Sequence, residues 1–211
     1  MLKLELALIL PLVAFCGCSS GTVSREATLL SGLHQYQGDM QRVGGQESRW
    51  PERQRAAGDL KLVITGTVGA SSEFYRLVDL DLRKREFILT MHETSLGADR
   101  VKEMKEELVH MDEEIAALKP VVKTQLTAIW QRGPEPQVEN VATLGMLGIA
   151  LDDFSSSAPH GPDAPSTKVG QYVVTDLGSF ATVRTPKGQS YQCILFGSSE
   201  DGAGIRCEPM K

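Results

Sequence analysis

The sequence predicts an α+β protein: a β-hairpin sheet packed by a long helix, followed by a small disulfide-stapled all-β module. Three observations carry that expectation. Residues 75–82 (YRLVDLDL) end in near-strict alternation, with Leu80 and Leu82 on one face and Asp79 and Asp81 on the other. Val101, Met104, Leu108, Met111, Ile115, Leu118 and Val122 recur at three- and four-residue spacing, an a/d pattern that marks one apolar helix face. Residues 168–211 hold short β-prone runs divided by glycine and proline turns, and carry Cys193 and Cys207.

The chain opens with Lys3, an apolar run over residues 6–15 and then Phe15-Cys16-Gly17-Cys18-Ser19-Ser20, which is the charged, apolar and small-residue order of an export signal. The run is well short of the roughly 20 residues that a membrane-spanning helix needs. Its end resembles the lipobox of bacterial lipoproteins, in which a small residue precedes the cysteine that becomes acylated. The resemblance implies a signal peptide over 1–17 and lipidation, palmitate included, at Cys18. Cys16 follows the bulky Phe15 and is the poorer candidate; Phe15 also stands where such boxes usually carry Leu. Two or more acyl chains hold a protein stably on a bilayer. Ser19 in place of Asp implies, in the lipoproteins that it resembles, an outer-membrane protein facing the periplasm. A plain signal peptide cut elsewhere is the competing reading.

Residues 18–49, rich in Ser, Gly and Gln, read as a tether, with a helical turn or two over 26–33. An α+β domain is expected over 50–132. Its parts are a short helix at 51–57, strands at about 60–68, 75–82 and 87–92, a polar turn at Arg83-Lys84-Arg85-Glu86, and a helix over about 100–130 capped by Asp99. Pro120 is expected to kink or end that helix. The apolar seam from Val101 to Val122 has two readings: packing on the hairpin sheet, or a face for a partner or a second copy of the chain. The flanking positions (Glu107 and Glu114 against Asp112 and Lys119) do not specify a parallel homodimer. Residues 133–167 hold five of the ten prolines and read as a Pro/Ser-rich linker, with Gly145 and Gly148 weakening the apolar stretch 141–154 as a helix. In the module at 168–211, strands are expected at 172–175, 180–185, 191–196 and 204–208, with Cys193 and Cys207 joined across the last two.

Over residues 55–93, Arg55-Ala56-Ala57-Gly58, then Thr65-Gly66-Thr67-Val68, Leu77-Val78-Asp79-Leu80 and Glu86-Phe87-Ile88-Leu89 form a second pattern. It is similar to the "GTV … LVDLxTGEIL" core of outer-membrane lipoproteins that activate penicillin-binding proteins, and of the curli-export lipoprotein group. The resemblance implies an α/β core with a helix after the hairpin. It carries over no binding residue.

No catalytic constellation is present. His92-Glu93 begins like HExxH, but Leu96 stands where the second ligand belongs; no G-x-S-x-G, S-x-x-K or phosphate-loop motif occurs, and no histidine sits at metal spacing with another ligand. No cofactor or metal site is therefore expected. The formal net charge of −5, with mixed signs along the chain and no basic stripe, excludes phosphate-backbone binding. The expected function is a membrane-anchored envelope lipoprotein, not an enzyme, that serves as an adaptor or accessory factor for an envelope protein complex. The alternatives are a structural component that self-assembles through the 101–129 helix and a periplasmic ligand-binding or hydrolytic protein.

Overall fold

The chain enters the fold through a helix where a tether was expected. Ser24 accepts the Ala27 N–H through Oγ at 3.0 Å, capping α1 (Arg25–Val43). Leu29, Leu30, Leu33, Tyr36, Met40 and Val43 then fall on one buried stripe. The three-to-four periodicity outweighs the Ser, Gly and Gln content that marks a flexible segment. The computed structural model describes residues 23–43, 49–91, 96–130, 137–154 and 164–211.

Residues 60–68, 75–82 and 87–91, expected to be strands, are helical; His92 lies outside the described residues. In α2 (Trp50–Val68), Pro51 occupies the first turn and Gly69 ends the helix at φ 84°, with its N–H bonded to the Thr65 carbonyl at 3.2 Å. Arg53, Ala56, Ala57, Leu60, Ile64 and Thr67 give α2 a buried face at helical period. Ser71 Oγ accepts the Phe74 N–H at 3.3 Å and starts α3 (Ser72–Met91). The alternation over 78–82 is a local coincidence within a longer 3.6-residue pattern, Phe74, Leu77, Val78 and Asp81, so Asp81 is buried where alternation would expose it. The presumed turn at residues 83–86 is helix: Arg83 pairs with Glu107, Lys84 with Asp112 at 2.6 Å, and Arg85 with Asp81 at 3.0 Å. The hairpin on which the second family resemblance rested is therefore absent from the described residues.

The helix α4 (Ala98–Trp130) runs through Pro120 without ending. It lies antiparallel to α3, as the Arg76–Glu114 pair at 2.7 Å and the Arg83–Glu107 pair require. The seam expected as a partner or oligomer face is turned inward. Met104, Met111, Ile115 and Val122 are buried, Leu118 packs against the core, and Val101 and Leu108 are half-buried. The expected linker contains α5 (Val138–Asp153), the most apolar of the described helices, with nine buried residues. Each helix packs on the next, and α5 returns to α1.

The C-terminal strands form one antiparallel meander: β1 (Ser166–Val169), β2 (Tyr172–Asp176), β3 (Ala181–Arg184), β4 (Ser190–Ser198) and β5 (Gly202–Pro209). Its inner face, with Val174, Ala181, Val183, Cys193 and Ile205, packs on α1 and α5. One apolar cluster joins those side chains to Leu33, Leu60, Phe74 and Met146 on the helices, so the sheet shares the helical core. The fold is α+β, as expected, and Cys193 and Cys207 are direct cross-strand partners joined by a disulfide. Among the described residues, no helix is long and apolar enough to cross a membrane.

Candidate functional site

Gly32 on α1 brings α2 close: a Cβ there would meet Val63 Cγ1 at 2.9 Å. An open groove of about 680 Å³ lies between α1, α2 and the β4–β5 turn, with Gly32 and Val63 in its lining. That size falls within the roughly 300–1,000 Å³ usual for ligand sites.

The third wall is tied firmly to α1. Ser199 Oγ donates to Gln35 Oε1 at 2.7 Å, and the Ala203 N–H donates to Thr28 Oγ1 at 3.0 Å. Val23 bridges to Gly204 at the β5 edge, and the Ser24 N–H reaches the Ala203 carbonyl at 2.9 Å. The turn depends on glycine at both ends. Gly197 and Gly202 have φ of 85° and 88°, and a Cβ on Gly202 would strike Val23 Cγ1 at 2.6 Å.

Apolar groups line the floor (Ala56, Leu60, Val63 and the ring of Tyr36), while Asp39, Asp59, Glu200 and Asp201 stand around it with Arg25. Leu62, 71% exposed, and Val23, 56% exposed, present apolar side chains to solvent on opposite walls. Beneath the floor the Tyr36 hydroxyl donates to Asp81 Oδ2 at 2.5 Å, and Arg85 Nε donates to the same oxygen at 3.0 Å. Burial, then the Asp81 charge, pushes the Tyr36 phenol well above its ordinary range. Asp81 raises the Arg85 guanidinium despite the opposing effect of burial. Arg53, 3% exposed, lies 6.0 Å from the Trp50 ring centre, and its burial lowers the guanidinium from its ordinary value.

The groove lining holds no histidine or cysteine, and its hydroxyls on Thr28 and Ser199 already serve the wall. Burial first, and the Asp81 charge second, favour the protonated Tyr36 phenol. Among the described residues, no group of three or more potential ligands could hold a metal ion. Cys18 lies outside the described residues. Among the described residues, none of the other sequence-selected site residues lines the groove. Residues 29, 30, 33, 36 and 40 hold the periodicity that reveals α1, the only sequence signal leading to it.

No protein-family model, curated protein or solved structure matches this chain.

Proposed function

We propose that this protein is an envelope lipoprotein anchored through Cys18 to the outer membrane, facing the periplasm, and that it acts as a non-catalytic adaptor for an envelope protein complex. The observation that carries this reading is the distance from the proposed anchor to the folded body. Only residues 19–22 separate Cys18 from Val23, which is docked on β5. Five chain steps span at most about 18 Å. Acylation at Cys18 would therefore hold the groove that Val23 lines close to the bilayer, where a membrane-bound partner is at high effective concentration. The inward packing of most of the α4 seam supports this reading over self-assembly through that helix.

Crosslinking in living cells, with Cys18→Ser as the unanchored control, tests the adaptor reading. The expected result is a defined heteromeric adduct that is lost or sharply weakened in the control. Self-adducts alone, or adducts indifferent to the anchor, contradict it.

A further inference from the structure

We infer that the groove between α1, α2 and the β4–β5 turn docks a basic amphipathic helix of a partner protein, an inference that rests on the adaptor reading. Leu62 sits between two residues that serve the core, Leu60 and Ile64, yet points outward and is the most exposed large apolar side chain among the described residues. Val23 faces the same groove from the β5 side, so two exposed apolar groups flank an apolar floor. This arrangement matches helix-in-groove recognition, in which apolar anchors at i, i+3 or i+4 enter a hydrophobic channel.

The rim selects the charge of the occupant. Four carboxylates (Asp39, Asp59, Glu200 and Asp201) stand against one guanidinium, Arg25. Asp39 is also paired with Arg42 at 2.7 Å, and Asp201 with the Ser198 hydroxyl at 3.3 Å; both remain accessible on the surface. Charge complementarity governs encounter and partner choice, so Lys or Arg flanking the apolar anchors is favoured. The same rim disfavours the other occupants. An anionic lipid headgroup would meet like charge. A second copy of the chain docking by two-fold symmetry would bring one carboxylate rim against the other.

The test uses the full chain in detergent micelles, titrated with a fluorescent Leu/Lys amphipathic model helix, its Leu/Glu counterpart and a Ser/Lys peptide of equal charge. The Leu/Lys helix is expected to bind saturably, more weakly as salt rises, while the other two bind at least about tenfold more weakly. Leu62→Ser is expected to weaken binding about tenfold. Asp59→Lys with Glu200→Lys is expected to lower affinity and flatten the salt dependence. Both substitutions lie at exposed positions, and circular dichroism would check that the fold is kept. No binding of the Leu/Lys helix overturns the proposal, as does equal binding by the Ser/Lys peptide or by both variants. Repeating the titration with Cys18→Ser separates the two claims: unchanged peptide binding keeps the groove assignment even if the anchored-adaptor reading fails in cells.

Discussion

Asp81 sits at 0% exposure between a phenol and a guanidinium, and the energetics of that position follow from what each neighbour loses if it is removed. Tyr36→Phe deletes a hydrogen bond to a charged group and is expected to cost about 1.5–3 kcal/mol in urea denaturation. Asp81→Ala removes the partner of Arg85. Because the Arg85 side chain is 30% exposed, the cost should fall toward the lower end of the roughly 3–5 kcal/mol usual for breaking a buried pair. The Tyr36 phenol titrates higher in the folded chain than its ordinary 10.0. Its contribution is therefore complete below about pH 10 and is lost as pH rises through the folded value. Tyr36→Phe should remove that part of the alkaline destabilisation. His34 behaves in the opposite way: burial lowers it from 6.5, against the smaller pull of Asp176. Its contribution is present above pH 6.5 and is lost as pH falls through the folded value, so His34→Gln should flatten the acid limb of a stability–pH curve. The disulfide closes a short loop, Cys193 and Cys207 being 14 residues apart, and the Cys193→Ala/Cys207→Ala pair should cost about 3 kcal/mol by thermal denaturation.

At the scale of elements, glycine content misleads and periodicity decides. Gly145 suggests a weak helix in sequence, yet a Cβ there would lie 2.5 Å from Val174 on β2, so the glycine lets α5 press against the sheet. Gly145→Ala is expected to destabilise by about 1–3 kcal/mol in thermal denaturation. Gly148, on the same helix with open space at its Cβ, should tolerate alanine or gain up to about 1 kcal/mol, measured on the same thermal scale. The contrast explains how much of the fold was legible. The β module was readable because its turns are local: Gly178, Gly188 and Gly202 take positive φ between short strands. The helix at 98–130 was readable because its seam is long. α2 and α3 were not, because β-branched residues at 63, 64 and 65 and the alternation at 78–82 satisfy a strand over a short window. Tertiary burial at 53, 56, 60, 64 and 67 overrides that propensity.

Across the whole molecule, the helices and the sheet share one core, and α1 stands at the centre of the arrangement. It supplies Tyr36 to the buried network, Gly32 to the groove and Thr28 to the β4–β5 turn. The groove was illegible in sequence because its walls come from residues near 23–39, 56–67 and 199–202, which only the tertiary fold assembles. The N-terminal pattern, by contrast, is contiguous in the sequence. It sets the central proposal: acylation at Cys18 would hold the body close to a membrane through residues 19–22. The most direct measurement is palmitate labelling of the full chain in a Gram-negative host, followed by mass spectrometry of the mature N-terminal peptide. Wild type and Cys16→Ser should incorporate label and begin at an acylated Cys18, whereas Cys18→Ser should not. An unlabelled wild-type protein, or one whose label survives Cys18→Ser, would contradict the account.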